Sequence, residues 1–354
     1  MKEIKDGCYT ALVTPFQEDG IDWEAFKKLI EFQCKAGVTG VLVAGTTGET
    51  PTLSKQEHLQ LILRAKAFLI DKNCALIAGL GANSTQKAIE YTKQVKEIID
   101  AGLYVDPYYN KPTSFQIRKF YYQPIAQRFP ELLIIPYVIP GRTGGTGLLP
   151  EDLAKLVKTY PNVVAIKDAS GSDERAIKTR SLLPEPFKIF SGDDGRTFRM
   201  MIHPEIRANG VISVISNFLP GTVQKFTDLL KERKIKEAKV FQAYLKSLFD
   251  LVTVKDSTGS WPNPCSVKTI LSALGMIKPI LRPPLSLMSS EAVKIVREKL
   301  RDIILILEEK VSFSDDLELL RKEIQKDIDR IENIFDVHVI ERIKNPEIWK
   351  TLCL

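Results

Sequence analysis

Residues 40–49 read Gly-Val-Leu-Val-Ala-Gly-Thr-Thr-Gly-Glu, and the order of residue types within them decides the fold class. The first half is a short run of small and branched apolar residues, as in a buried strand. The second half, Gly45-Thr-Thr-Gly-Glu49, is glycine-rich and reads as a tight turn. Ser54 and Glu57 then form a capping-box pair ahead of a helical pattern over 55–70. Another apolar run follows at 75–78. Strand, turn, helix and strand in that order make a βαβ unit, the building block of parallel sheets.

The unit repeats outward in both directions. Strand-like runs lie at 9–13, 40–44, 75–78, 103–105, 132–138, 163–166, 188–191 and 210–215. Helical patterns lie between them at 23–36, 55–70, 85–99, 114–129 and 151–158, with apolar residues recurring as in Phe26, Leu29 and Ile30. Pro150 suits a first helical turn. Eight such units predict an α/β fold closed into a (β/α)8 TIM barrel over residues 1–230. An open doubly wound sheet is the competing arrangement, but no GxGxxG follows the first strand.

Beyond the barrel the pattern turns helical, at 223–249, 266–274 and 291–307, punctuated by Pro262, Pro264, Pro283 and Pro284. This defines a C-terminal helical region over 231–307 and a further extension over 308–354. Within the extension, Leu317, Leu320, Ile324, Ile328, Ile331 and Phe335 stripe one face of a helix over 314–335. That face is expected to dock on its own subunit; an oligomerisation helix is the alternative.

Composition excludes several classes. Of 354 residues, 44% are hydrophobic and 27% charged, which is ordinary globular usage and excludes a disordered chain, a collagen and a coiled-coil rod. Fifty Lys and Arg against 44 Asp and Glu leave a net charge of +6, interspersed with no basic block or stripe, so nucleic acid is not an expected partner. No secretory h-region opens the chain. The most apolar stretch, 132–140, falls far short of the roughly 20 residues that span a bilayer, so no membrane role is expected. The cysteines (Cys8, Cys34, Cys74, Cys265 and Cys353) include no CxxC, which fits a reducing cytoplasm. His58, His203 and His338 have no i,i+4 spacing and no HExxH, so no metal site is expected.

In a parallel barrel, chemistry sits where strands end and loops begin. Gly45-Thr-Thr-Gly-Glu49 offers amides and hydroxyls that could hold a carboxylate, although such turns are usually only turns. Asp106-Pro-Tyr-Tyr-Asn-Lys-Pro112 follows the fourth strand. Tyr137 ends the fifth, and Arg142 in the next glycine-rich loop is a candidate anion clamp. Val163-Val-Ala-Ile-Lys-Asp168 carries the most information. Lys167 ends an apolar strand, so its ammonium would enter the barrel mouth partly desolvated. Desolvation lowers a lysine pKa and frees the amine to attack carbonyls. Lysines at strand ends usually reach back to water, but a mouth with tyrosines, an arginine and a carboxylate nest favours a Schiff-base enzyme for a small α-keto acid.

These residues also match a known family. The chain resembles the dihydrodipicolinate synthase / N-acetylneuraminate lyase superfamily of class I pyruvate aldolases from about Gly7 to about Leu307. The motifs agree in order and spacing: Gly45-Thr-Thr-Gly-Glu49, Gly81-Ala-Asn83, Pro107-Tyr-Tyr-Asn-Lys-Pro112, Pro140-Gly-Arg-Thr-Gly144, Ile166-Lys-Asp-Ala-Ser-Gly171, Ser191-Gly-Asp-Asp194, Gly210-Val-Ile-Ser213 and Pro262-Asn-Pro264.

The resemblance implies roles. Lys167 is similar to the lysine that forms an imine with pyruvate, Tyr137 to the proton-shuttling tyrosine and Thr46 to its relay threonine. Thr47 would hold the pyruvate carboxylate. Tyr109 resembles a tyrosine supplied across a subunit interface. Arg142 is similar to the arginine that receives the carboxylate of the aldehyde, and Gly192 and Ile212 match positions lining the mouth. Arg142, with Asn110-Lys-Pro112 and Ser191-Gly-Asp-Asp194, resembles the synthase branch. That branch condenses pyruvate with aspartate 4-semialdehyde, the entry step of diaminopimelate and lysine synthesis, with the covalent imine in place of any cofactor.

Pro136, Val138 and the long loop 144–147 depart from the family pattern on the Arg142 side. A pyruvate aldolase for another aldehyde, like N-acetylneuraminate lyase, is therefore the alternative; a non-catalytic binding barrel is a remote one. The resemblance further implies a homo-oligomer, a dimer or a tetramer of two tight dimers. It also implies a lysine-responsive site at Asn83, Lys87, Lys55, His58 and Tyr108, in which Lys87 replaces the usual Glu and Lys55 the usual His.

Overall fold

The computed structural model describes residues 3–308 and 315–354. Eight parallel strands close into a barrel: β1 (Gly7–Ala11), β2 (Gly40–Val43), β3 (Ala75–Gly79), β4 (Ala101–Val105), β5 (Leu133–Val138), β6 (Ala165–Asp168), β7 (Lys188–Ser191) and β8 (Gly210–Ser213). Each strand pairs with its sequence neighbours, and β1 pairs with both β2 and β8. The closed barrel is therefore realised and the open sheet is not.

Alternation along each strand builds two cores. On β5, Leu133, Ile135 and Tyr137 join the inner plug with Tyr9, Leu42, Phe190 and Ile212. Ile134 and Val138 face the helix layer instead. The helices are α1 (Trp23–Ala36), α2 (Lys55–Phe68), α3 (Thr85–Val95), α4 (Gln123–Arg128), α5 (Pro150–Thr159), α6 (Asp173–Leu182), α7 (Thr197–Ile202) and α8 (Pro220–Lys231). The capping box opening α2 is formed: Ser54 Oγ accepts from Glu57 N at 3.2 Å, and Glu57 Oε2 accepts from Ser54 N at 2.9 Å.

Two expected helices are interrupted. The pattern over 114–129 divides into a short helix Ser114–Gln116, a π-helical stretch Ile117–Tyr122 and α4. Pro124 has no N–H to offer the carbonyl of Phe120, and that oxygen accepts from Thr85 Oγ1 at 2.8 Å instead. The pattern over 223–249 splits into α8 and α9 (Ile235–Phe249), because Arg233 takes a left-handed φ of 60°.

The C-terminal region adds α10 (Cys265–Ala273) and α11 (Ser290–Glu308). The extension adds α12 (Asp315–Phe335), α13 (Val339–Lys344) and α14 (Pro346–Lys350). Residue 314, the expected first residue of the long helix, lies outside the described residues. Helix α12 docks on its own subunit, against α1, α8 and α9. Leu320, Ile324, Ile328, Ile331 and Phe335 are buried there, and the Phe335 ring meets Phe32 edge-on at 6.3 Å. Asp327, fully buried, accepts from Gly221 N, Thr222 N and Thr222 Oγ1 at 2.8–3.0 Å and so caps α8. Among the described residues no helix is long and apolar enough to cross a membrane.

Candidate active site

Lys167 and Tyr137 are register partners on the adjacent strands β6 and β5, so both side chains point inward at the C-terminal mouth. Lys167 Nζ sits 4.3 Å from the centroid of the Tyr137 ring. Burial pulls the Lys167 ammonium down to about 7; Asp194 partly opposes this and Arg142 adds to it. Burial likewise pushes the Tyr137 phenol up to about 12, against the influence of Arg142 and a hydrogen bond with Thr46. The site thus holds an amine that is partly neutral at neutral pH beside a phenol that keeps its proton.

These groups line a cavity of about 320 Å³ together with Thr47, Arg142, Gly192, Asp194 and Asn263. Gly192 is required by a close approach: a Cβ there would lie 2.7 Å from that of Ala169. Asp194 anchors the floor, accepting from Ser213 Oγ and from Val214 N at 2.8 Å. Burial raises its carboxyl to about 6.

Lys167, Tyr137, Thr46, Thr47, Arg142 and Gly192 are therefore brought together. Ile212 is not among the cavity's lining residues; it belongs to the inner plug. Tyr109 is also elsewhere, 81% exposed in a surface depression with Tyr108, Asn110 and Phe120.

A second cavity, of about 430 Å³, shares Thr46, Tyr137 and Arg142 with the first and is lined also by Asn83, Lys87, His58 and Tyr108. His58 is buried, with Nε2 2.8 Å from Gly79 O, and burial lowers its pKa. Asn83 Oδ1 accepts from the backbone of Tyr108 and Tyr109 at 2.7 and 3.0 Å. Lys55 does not line this cavity and pairs with Glu90 at 3.8 Å.

Asn263, within Pro262-Asn-Pro264, has no role that the sequence alone reveals. Asn263 Nδ2 donates to Thr47 Oγ1 at 3.0 Å, and its carbonyl accepts from Arg142 Nη2 at 3.0 Å. One residue therefore ties together the two candidate carboxylate-binding groups. Its position between two prolines just before a helix is the only local signal. Pro136 and Val138, by contrast, share the outward parity of β5 and do not line the cavity.

A closed barrel that presents one desolvated lysine against a buried tyrosine is that of a Schiff-base lyase. More narrowly, the chain belongs to the dihydrodipicolinate synthetase family, whose model matches residues 5–303. The 4-hydroxy-tetrahydrodipicolinate synthase of Sulfurihydrogenibium sp. (strain YO3AOP1) is 39% identical over 297 residues, covering 83% of this chain and 97% of the relative. The solved dihydrodipicolinate synthase from Aquifex aeolicus superposes with a TM-score of 0.79 at 35% identity, covering 86% of this chain and all of that one. The lysine-bound enzyme from Cyanidioschyzon merolae gives 0.79 at 32% identity, covering 85% of this chain and 99% of that one. The extension from 315 onward lies beyond the family match.

Proposed function

We propose that this chain is a 4-hydroxy-tetrahydrodipicolinate synthase, joining pyruvate to aspartate 4-semialdehyde through an imine on Lys167. The desolvated Lys167 amine against Tyr137 carries the reading. Neutral Lys167 attacks C2 of pyruvate, and the carbinolamine loses water to give the imine. Tyr137, protonated at working pH and hydrogen-bonded to Thr46, relays protons to and from the departing oxygen. The imine draws electrons from the methyl group, which loses a proton and becomes an enamine. The enamine carbon attacks the aldehyde carbon, and the new alkoxide takes up a proton. The amine of the adduct then displaces Lys167 from C2, closing the ring and freeing the enzyme.

Thr47 with its loop amides holds the pyruvate carboxylate, and Arg142 receives the carboxylate of the aldehyde. Gly192 keeps the mouth open, and Ile212 backs it from within the plug. The chemistry needs no cofactor beyond the covalent imine. Tyr109, together with exposed Phe115 and Phe120, suits a homo-oligomeric interface that would bring its hydroxyl to a partner's relay. Residues 1–230 act as the catalytic barrel, 231–307 as the helical region and 308–354 as an extension, in a cytoplasmic enzyme.

An assay coupling pyruvate and aspartate 4-semialdehyde to a downstream reductase tests the reading by nicotinamide oxidation. Turnover that disappears in Lys167→Ala is expected. Absence of turnover, with pyruvate still trapped on Lys167 by borohydride, would move the assignment to another aldehyde.

A further inference from the structure

We infer that the buried Glu49–Lys268 ion pair is a positioning device for the reaction, setting the Thr46 and Thr47 hydroxyls against Lys167 from the C-terminal helical region. The inference rests on the reading of Lys167 as the imine-forming lysine.

Both side chains are without solvent exposure, with Lys268 Nζ 2.5 Å from Glu49 Oε1. The other carboxylate oxygen accepts from Arg282 N at 3.0 Å. Lys268 also donates to Ile280 O at 2.8 Å and lies 4.2 Å over the Phe16 ring. Burying two charges is costly, and an apolar pair of similar volume often serves stability as well or better. The pair therefore calls for a reason other than stability, and its position supplies one.

Glu49 ends the loop that carries both threonines. Its N–H donates to Thr46 O at 3.1 Å, and its own backbone is left-handed at φ 55°, a conformation uncommon for glutamate. Such a conformation persists only where the surroundings over-determine it. On the other side, Lys268 N donates to Pro264 O at 3.0 Å, which places Lys268 one helical turn beyond Pro264, the residue that follows Asn263. Asn263 holds Thr47 Oγ1 directly. Asn263, just before α10, and Lys268, in its first turn, thus grip the loop at two points, the Thr47 hydroxyl and the Glu49 carboxylate. The two partners are 219 residues apart in the chain, so the C-terminal region becomes a working part of the site.

The test separates position from stability. Parent protein is first incubated with pyruvate and borohydride; no adduct would end the functional reading itself and this inference with it. Glu49→Leu/Lys268→Met then removes both charges at similar volume. The expected result is a folded variant whose melting temperature falls no further than the freed Arg282 N–H and Ile280 carbonyl account for, with trapping at least tenfold slower and KM for pyruvate at least threefold higher. Parental trapping and KM in a folded double variant overturn the inference. Where that variant does not fold, Glu49→Gln, which keeps the shape and one acceptor, is read by the same criteria. Slowed trapping with raised KM supports positioning, and parental values overturn it.

Discussion

Lys167 and Tyr137 face each other as register partners across β6 and β5, with Nζ 4.3 Å above the phenol ring. An ammonium over an aromatic face is stabilised by about 0.5–2 kcal/mol. Loss of hydration outweighs that contact, because the lysine still falls to about 7. On the proposed mechanism the free amine is the nucleophile, and that form accumulates above this value. Initial borohydride trapping of pyruvate should therefore rise from pH 5.5 to 8.5 with a midpoint near 7. A midpoint at 9 or above would show the lysine to be solvated.

The same shift has a stability consequence. The folded value lies below the unfolded one of 10.5, so between about 7 and 10.5 the unfolded chain binds more protons. Below 7 both states are protonated and the folded protein bears the full cost of a buried ammonium. Lys167→Met should be more stable than the parent by about 2 kcal/mol or more at pH 6.5, at about 1.4 kcal/mol per pKa unit. The gain should shrink as pH climbs toward 10. Urea midpoints across that range decide it; equal midpoints at pH 6.5 would contradict the burial argument.

How far the sequence reveals this arrangement varies by element. The barrel was legible because every strand is an apolar run bounded by turn residues, and Lys167 because it is the charged end of one. The run at 163–166 appears two residues later as β6, because pairing with Val138 and Ser191 sets the register. The break at Arg233 has no glycine or proline to announce it. Asn263 and Lys268 escaped because their partners Thr47 and Glu49 lie more than 200 residues away. The apolar stripe of α12 was legible too, but its docking surface, Phe32 and the start of α8, was not.

Tyr137→Phe keeps the ring over Lys167 and removes the hydroxyl that bonds Thr46. Positioned proton transfer contributes about 10²–10⁴ in rate. The variant should lose at least about 10² in kcat while the borohydride adduct with pyruvate still forms, only more slowly. Full kcat would remove Tyr137 from the relay.

Lys87 lines the cavity that also contains Asn83, His58 and Tyr108. An ammonium ligand entering it meets a like charge, and repulsion of that kind is an effective means of exclusion. L-Lysine should therefore inhibit only above millimolar concentration, and Lys87→Glu should lower the half-inhibitory concentration at least about tenfold, one such factor being 1.4 kcal/mol. Half-inhibition of the parent below millimolar lysine would refute this.

Asp327 shows what the extension does for the barrel. It reaches from α12 to take three hydrogen bonds from the first turn of α8, with Arg330 Nη1 2.9 Å away. Asp327→Ala would leave two backbone N–H groups of that turn buried without acceptors, at about 1–3 kcal/mol each. A loss of about 2–4 kcal/mol in unfolding free energy is expected, with pyruvate trapping per folded molecule unchanged. Burial raises the folded carboxyl to about 6 from a reference of 3.8, so between those values the folded state binds more protons than the unfolded chain. The contribution of Asp327 is thus fully present below 3.8 and declines as pH rises through 6. The gap between parent and Asp327→Ala should accordingly be wider at pH 4.5 than at pH 7.5. A gap that widened toward neutral pH would mean that the cap draws its strength from the carboxylate charge and that burial costs it little.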